Sequence, residues 1–200
     1  IPPCGRDIAT TPRDRRPSRR REIGGVFQDF RLIANLTAHQ NVALPLRIAG
    51  KAEAEIHEHV AELLRWVGLG PFVDHYPPAL SGGQQQRIAI ATALVNEPEV
   101  LLLDEPLGAL DLQLRQEMQL ELKRMQQRLG ITFIFVTHHQ EEALTMSDII
   151  VVMRGGFIQQ IGTPKDVYDE PKSAFVANFI GESNIIRGTM VKDLLVNFCG

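Results

Sequence analysis

Two adjacent carboxylates stand at the end of an apolar segment near the middle of the chain. Val100–Leu103 is a continuous apolar run, typical of a strand buried on both faces, and Asp104 and Glu105 follow it directly. Asp104 suits a Mg²⁺ ion, because Mg²⁺ takes hard oxygen ligands and keeps several waters. Glu105 could orient or deprotonate an attacking water. The pair is therefore a candidate hydrolytic site, although acidic residues also occur at strand ends by chance.

A glycine turn earlier in the chain points to phosphate binding. Ser81–Gln84 has the sequence Ser-Gly-Gly-Gln and precedes a helix predicted over Gln85–Val95. Adjacent glycines let the backbone approach a ligand, and a helix N-terminus exposes unpaired N–H groups and carries about half a positive charge. Ser81 and Gln84 add side-chain donors. The alternative is an ordinary helix-capping turn, which explains this segment equally well when it is taken alone.

A histidine follows a third candidate element. Ile131–Val136 is predicted to be a second buried strand, and Thr137 and His138 come directly after it. A neutral histidine there could donate a hydrogen bond to a terminal phosphate, whereas an isolated histidine is more often a packing or capping residue. Three such features at strand or helix ends, in this order, favour a nucleotide-hydrolysing site over chance.

Alternating strands and helices must position these side chains. Further strands are predicted at Ile23–Phe27 and Ile149–Met153, and a long helix is predicted to be capped by Asp111 and ended by Gly130. Strand, long helix and strand in succession imply parallel pairing, so we predict an α/β fold with a parallel-sheet core. Residues 36–97 show helical patterns without strands, which indicates an inserted helical lobe. One of its helices has apolar residues at helical spacing: Ile56, Val60, Leu63, Leu64 and Val67.

The overall composition is that of a soluble globular protein. Apolar residues make up 44% of the chain, and the net charge of −3 argues against a general nucleic-acid binder. Cys4 and Cys199 have no metal-binding spacing and fit a reducing cytoplasm. The sequence lacks an apolar run of the ~20 residues that a transmembrane helix needs. Arginines and prolines crowd residues 1–22, which we interpret as a solvated leader, with a phosphate- or membrane-binding arm as the alternative.

Together the motifs resemble those of the ABC transport ATPases. Leu80–Arg87 is similar to the signature motif of that family, and Val100–Glu105 is similar to its Walker B strand with the catalytic glutamate. Gly108–Asp111 resembles the D-loop, Gln28 the Q-loop glutamine and His138 the switch histidine. The tail resembles importer ATPases for polyamines and related solutes in four segments: Val136–His138, Glu141–Asp148, Gly162–Pro164 and Phe175–Glu182.

The resemblance implies the fold and its division into domains. We expect a RecA-like parallel-sheet core with an inserted α-helical subdomain, the ABC ATPase fold, incomplete at the N-terminus. Residues 23–35 and 98–183 would form the core and residues 36–97 the helical subdomain that carries the signature. Residues 1–22 would be the remnant of an N-terminal β subdomain, and residues 184–200 would begin a truncated C-terminal β regulatory domain.

The resemblance also implies ATP and Mg²⁺ as cofactors, bound between two ATPase subunits that pair head to tail. Glu105 would polarise the attacking water, and His138 would contact the γ-phosphate. Asp104 would hold Mg²⁺ through water, and Gln28 would contact the metal, the water or the phosphate. The residues expected to bind ATP, several of them from the opposite subunit, are Gln28, Ser81, Gly82, Gly83, Gln84 and Asp111.

Membrane proteins are the other partners that the resemblance implies. Gln28 and the helical lobe would face a membrane permease, and an extracytoplasmic solute-binding protein would act indirectly. The subunit would lie peripherally on the cytoplasmic face of the inner or plasma membrane, without nucleic acid. ABC ATPases of the chromosome or DNA-repair type are a weak alternative, since Gln28 and Ser81 are too close in sequence for their long inserted coiled coils.

The chain departs from the family pattern at one motif. The 200 residues contain no Gly-x-x-x-x-Gly-Lys-Ser/Thr sequence, whose backbone amides and lysine normally bind the β- and γ-phosphates. In the family this loop lies upstream of Gln28, at a distance that would put it before Ile1. A non-catalytic module that donates its signature motif in trans is therefore the alternative function.

For the 200-residue polypeptide alone, we expect no measurable ATPase activity, because the residues that bind the β- and γ-phosphates in the family are absent from its sequence. The assay compares phosphate release by this polypeptide with release by its Glu105→Gln variant. Turnover above that variant would contradict the expectation.

Overall fold

The computed structural model describes residues 22–108, 110–181, 184–186, 189–192 and 195–197. The expected leader, residues 1–22, lies outside this part of the chain except for Glu22. The described chain divides into two compact units, and the division falls between His138 and His139.

Strands and helices alternate through most of the chain, which confirms the predicted α/β class. The strands are β1 Ile23–Val26, β2 Val100–Asp104, β3 Thr132–Val136, β4 Ile150–Arg154, β5 Phe157–Gly162, β6 Thr189–Lys192 and β7 Leu195–Asn197. The helices are α1 Ala38–Ile48, α2 Glu53–Trp66, α3 Gly82–Leu94, α4 Leu112–Leu129, α5 Gln140–Met146, α6 Pro164–Asp169 and α7 Ala174–Ile180. Short 3₁₀ turns lie at Gly70–Phe72 and Pro77–Ala79.

A parallel sheet in the order β1-β2-β3 forms the centre of the first unit. In β2, Leu101 and Leu103 are fully buried, and each contributes about 1.5–3 kcal/mol of hydrophobic stabilisation. The apolar run therefore forms the buried strand that its sequence predicts. Parallel pairing confirms the prediction drawn from the long helix between β2 and β3.

The prediction that β3 is buried is wrong. Ile134 is 49% exposed and Val136 is 46% exposed, although both are β-branched and apolar. Strand β3 pairs with β2 at one edge of the described sheet, so it has one neighbouring strand where β2 has two. The β-branched and aromatic residues of β3 favour a strand, whereas the burial of their side chains depends on what covers each face of the sheet.

Three helices, α1 to α3, lie within the segment predicted to be an inserted lobe. Helix α1 has no clear pattern in the sequence, because Pro45 interrupts it at its eighth position. It begins nevertheless at a capping box, in which Thr37 Oγ1 accepts the N–H of Gln40 and Gln40 Oε1 accepts the N–H of Thr37. Four apolar residues of α1 are buried on one face: Ala38, Val42, Ala43 and Leu46.

A buried asparagine holds the segment that precedes α1. Asn41 is only 4% exposed, and its Oδ1 accepts the N–H of Ile33 at 2.8 Å. Its Nδ2 lies within hydrogen-bonding distance of the carbonyl oxygens of Ile33, Leu36 and Thr37, at 3.0–3.1 Å. One side chain thus satisfies several main-chain groups of a loop that has no strand or helix partner.

The capped helix α4 follows the sequence prediction closely. Asp111 is its N-cap, and the carboxylate accepts the N–H of Leu114 at 2.9 Å. Gly130 ends the helix in the left-handed conformation, with φ of 64°. Arg87 of α3 donates to Glu121 of α4 from Nε at 3.0 Å and from Nη2 at 2.7 Å, which ties the two helices together.

In the second unit, β4 and β5 form an antiparallel hairpin rather than an extension of the parallel sheet. Gly155 and Gly156 connect the strands, and both have positive φ, as a tight two-residue hairpin turn requires. The strand predicted at Ile149–Met153 is therefore present but is buried on alternate residues only. Its inner face packs in an apolar cluster with α5, α6 and α7: Ile150, Val152, Val167, Val176 and Ile180.

A short antiparallel hairpin, β6 with β7, is described within the expected regulatory domain. In the described part of the chain, no helix combines the length and apolar character needed to cross a membrane. The predicted domain boundaries remain predictions.

We expect Asn41→Ala to destabilise the first unit by about 1–3 kcal/mol, because it removes the side-chain partner of the N–H of Ile33 and of the carbonyl of Leu36. The measurement is the free energy of unfolding in urea. Asn35→Ala is the matched control, since Asn35 is exposed, and it should change stability by less than about 0.5 kcal/mol. Equal losses for the two variants would contradict the assigned role of Asn41.

Candidate active site

The register of the parallel sheet brings three loops to one edge. Val26 of β1 is aligned with Leu103 of β2, and Asp104 of β2 is aligned with Val136 of β3. The loops that carry Gln28, Asp104–Glu105 and His138 therefore leave the sheet at the carboxyl ends of its strands. Open parallel sheets bind their ligands at this edge.

Glu105 has an unusual backbone conformation. Its φ is 46°, in the left-handed region, which costs about 1–2 kcal/mol for a residue with a side chain. Its N–H donates to the carbonyl of Val136 at 2.9 Å and so continues the bonding between β2 and β3 by one residue. The turn directs the chain away from the sheet while the carboxylate stays at its edge. Backbone strain of this kind is concentrated at functional sites.

His138 contacts the carboxylate of Glu105. Nδ1 of His138 lies 3.0 Å from Oε1 of Glu105, and the histidine side chain is 61% exposed, against 31% for the glutamate. Because a carboxylate accepts, Nδ1 carries the hydrogen, and Nε2 of a neutral ring is then an acceptor. Donation from Nε2 to a phosphate would require a second proton on the ring or release of Nδ1 from Glu105. The predicted phosphate contact of His138 thus depends on how this pair is protonated.

Gln28 borders the same point as Glu105. A Cβ placed on Gly108 would lie 3.5 Å from Nε2 of Gln28 and 3.8 Å from Oε2 of Glu105. Glycine at position 108 therefore leaves room beside the two side chains. After Gln28 the chain makes a sharp turn, in which Phe30 and Arg31 both have left-handed backbones.

The proposed metal ligand is compatible with Mg²⁺ by its chemistry. Asp104 is an exposed carboxylate at the carboxyl end of β2, where it can face a hydrated ion. Among the described residues, no group of three or more His, Cys, Asp or Glu side chains could hold a metal ion. Mg²⁺ is commonly held by one or two carboxylates together with water and substrate phosphate, so Asp104 fits that type of site.

The signature residues form the first turn of α3. The sequence prediction places them in a turn that precedes the helix, but the helix already begins at Gly82, with Ser81 as its N-cap. Ser81 Oγ accepts the N–H of Gln84 at 3.3 Å, and Gln84 Oε1 accepts the N–H of Ser81 at 2.9 Å. This capping box uses the acceptor oxygens of both side chains. The hydroxyl hydrogen of Ser81 and the amide nitrogen of Gln84 remain chemically able to donate.

The two signature glycines allow close packing against the start of α4. A Cβ on Gly82 would lie 3.0 Å from Leu110, and a Cβ on Gly83 would lie 3.1 Å from Leu114. Both distances are shorter than ordinary van der Waals contact, so a side chain at either position would require Leu110 or Leu114 to shift. The sequence pattern predicts only ligand contact for these glycines, and their packing role is visible only in the structure.

Asp111 has a structural role that its sequence also predicts, as the N-cap of α4. Next to it, Nη2 of Arg115 donates to the carbonyl of Leu110 at 3.1 Å and fixes the end of the loop that starts at Glu105. The structure thus brings Glu105, His138 and Gln28 together, and it places the signature residues beside Leu110. The catalytic, metal-binding and ATP-binding roles of these residues remain predictions.

Sequence reasoning missed several supporting residues. Leu114 was identified only as part of the apolar stripe of α4, although it also contacts the signature glycine. Asn41 carried no signal, because an asparagine inside a helical segment is usually exposed. The one indication in the sequence was the glycine at position 108. Its motif predicts a loop there, but it does not predict that the glycine lies beside the Glu105 carboxylate.

Comparison with known proteins agrees with the motif pattern. The chain is 61% identical to the spermidine/putrescine import ATP-binding protein PotA of Clostridioides difficile, over 92% of this chain and 53% of the relative. It is 58% identical to the protein of the same name from Desulfitobacterium hafniense, with the same two coverages. Against that of Bacteroides thetaiotaomicron the identity is 54%, over 98% of this chain and 41% of the relative. The chain thus spans about half the length of these relatives.

The family comparison covers the part of the chain that carries the Q-loop, signature and Walker B residues. The sequence model of the family described as ABC transporter matches residues 4–108. Since this match covers more than half of the chain, the chain belongs to the ABC transporter family.

Proposed function

We propose that this chain is the ATP-hydrolysing subunit of an importer for a small solute. The observation that carries the proposal is the contact between Glu105 and His138, 3.0 Å apart beside Gln28 at the carboxyl edge of the sheet. A carboxylate held by a strained turn, a histidine bonded to it and an exposed aspartate one residue away make up a hydrolytic arrangement.

In the proposed reaction, water attacks the γ-phosphorus of ATP, the bond from that phosphorus to the β–γ bridging oxygen breaks, and ADP leaves with the oxygen. Glu105 accepts or orients the proton of the attacking water. His138 holds the carboxylate of Glu105 in place through Nδ1. Asp104 would hold Mg²⁺, which would supply positive charge to neutralise the phosphates. Gln28 lies beside the same carboxylate and contacts the water, the metal or the phosphate. Positioning and electrostatics supply most of the rate enhancement in phosphoryl transfer.

The second half of each ATP site is proposed to come from a second subunit. Ser81, Gly82, Gly83 and Gln84 present the N-terminus of α3, whose N–H groups and dipole favour a phosphate. Asp111 would contribute from the loop beside them. The dimer would close only with ATP bound, because the negative charge of the nucleotide is what these donors bind.

The transported solute is proposed to be polyamine-like. This proposal is supported by the names of the relatives, which are 53–61% identical, and by the tail motif over Glu141–Asp148. The partners would be membrane permease subunits, with a solute-binding protein acting indirectly. The subunit would then work peripherally at the cytoplasmic face of the membrane.

A second candidate function is a module that donates its signature motif in trans to another ABC subunit. The capping box at Ser81–Gln84 is complete, whereas the 200 residues contain no Gly-x-x-x-x-Gly-Lys-Ser/Thr sequence. The two candidates differ in whether Glu105 of this chain is needed for turnover.

We expect Glu105→Gln to lower ATP turnover by about 10²–10⁴-fold, because the amide cannot accept the proton of the attacking water. The assay measures phosphate release by the whole protein that carries these 200 residues, assembled with its permease in liposomes. Glu117→Gln, the same charge change on the exposed side of α4, should leave the rate unchanged. A wild-type rate for Glu105→Gln, combined with loss of activity in Ser81→Arg, would favour the second candidate instead.

Mixing the two inactive variants tests whether the site is shared between subunits. A dimer of one Glu105→Gln subunit and one Ser81→Arg subunit retains one site with both groups intact. Random pairing should therefore restore about a quarter of the wild-type rate, since about half of the dimers are mixed and each has one intact site. Each variant mixed with itself is the control. No recovery above those controls would contradict a site completed in trans.

A further inference from the structure

A cleft in the first unit shares no residue with the candidate active site. Its volume is about 500 Å³, within the range of small-molecule sites, and we call it the α2 cleft. One wall is a single stripe of α2 at helical spacing, and the other walls come from the ends of α3 and α4. The lining residues are His59, Glu62, Leu63, Trp66, Leu94, Glu97, Pro98, Leu129 and Ile131.

The C-terminal ends of three helices meet at the α2 cleft. Helix α2 ends at Trp66, α3 ends at Leu94 and α4 ends at Leu129, and all three residues line the cleft. The C-terminus of a helix carries about half a negative charge, which favours a cation within the last turn. The main chain around the cleft therefore contributes a negative electrostatic potential.

The charged side chains of the cleft have the same sign. Glu62 and Glu97 line it, and none of the nine lining residues is a lysine or an arginine. Glu97 is held in the left-handed region, with φ of 52°, and its N–H donates to the carbonyl of Leu94 at 2.8 Å. His59 uses Nε2–H to donate to the carbonyl of Val95 at 3.1 Å. The acidic side chains and the helix ends of the cleft therefore both favour a positively charged ligand.

The remaining wall of the cleft is apolar and aromatic. Leu63, Leu129 and Ile131 supply alkyl surface, and Trp66 supplies an indole ring to the same lining. The face of an indole attracts an ammonium group, and tryptophan does so more strongly than the other aromatic side chains. A small inorganic cation would leave the apolar wall uncovered, whereas an alkylated ammonium ion would cover it.

We propose that the α2 cleft binds an alkylammonium ion, with the charged nitrogen between Glu62, Glu97 and the Trp66 ring. The alkyl part of the ligand packs against Leu63, Leu129 and Ile131. The cleft disfavours anions, because its two acidic side chains, Glu62 and Glu97, and the helix ends around it are negative. This binding is separate from ATP hydrolysis and does not depend on the proposed transport function.

Trp66 makes the test direct, because it is the only tryptophan of the chain. The full 200-residue chain is titrated with n-butylammonium chloride at constant ionic strength, and the fluorescence of Trp66 is recorded. n-Butanol, which is neutral and has the same alkyl chain, is the matched ligand. We expect a saturable change with n-butylammonium and none with n-butanol at the same concentrations. Equal saturation by the two ligands, or no saturable change with n-butylammonium, would overturn the proposal.

Variants of the two carboxylates test the charge requirement. The double variant Glu62→Gln, Glu97→Gln should bind n-butylammonium at least about fivefold more weakly than the wild type. Glu58→Gln removes the same charge from α2 outside the cleft and should bind as the wild type does. The thermal midpoint of each variant, measured with and without n-butylammonium, provides a second readout. Unchanged affinity and an unchanged ligand-dependent midpoint shift in the double variant would refute the charge argument.

Discussion

The candidate active site depends on one main-chain hydrogen bond, from the N–H of Glu105 to the carbonyl of Val136. This bond continues the pairing of β2 with β3 past the last residue of the strand and holds Glu105 at a φ of 46°. The side chain then meets His138, which follows β3 by two residues. A bond between main-chain atoms does not depend on side-chain rotamers, so it can compensate for a strained conformation that costs about 1–2 kcal/mol.

The loop that starts at Glu105 also supports the signature helix. Its first turn is closed by the N–H of Gly108 on the carbonyl of Glu105, and its end is fixed by Arg115 on the carbonyl of Leu110. Leu110 in turn lies against Gly82 at the start of α3. The carboxylate proposed to activate water and the helix end proposed to bind a phosphate therefore share one short, bonded segment. Displacement of this segment would therefore move both the Glu105 carboxylate and the start of α3, because the packing at Gly82 and Gly83 is close.

Two polar contacts near α1 differ in how much they stabilise the fold. Arg47 and Glu53 join α1 to α2 by two hydrogen bonds of 2.7 and 2.9 Å, and the contact with Arg47 lowers the pKa of Glu53. Both side chains are exposed, and solvent screening makes the net contribution of such an ion pair to stability small. Asn41 is buried, and its loss removes the side-chain partner of the N–H of Ile33 and of the carbonyl of Leu36, at a cost of about 1–3 kcal/mol. The loop before α1 is therefore held mainly by the asparagine.

The parts of this protein that depend on local chemistry could be predicted from the order of its residues alone. The apolar run of β2, the cap at Asp111 and the end of α4 at Gly130 were all predictable, because burial preference, capping and left-handed glycine act within a few residues. The order and identity of the motif residues were sufficient to indicate the family. Three features could be seen only in the folded structure. They are the exposure of β3, the antiparallel hairpin formed by β4, and the contacts of Asn41 and Leu114. These features depend on which elements become neighbours, and the free energy of such contacts comes from residues far apart in the chain, which no local pattern records.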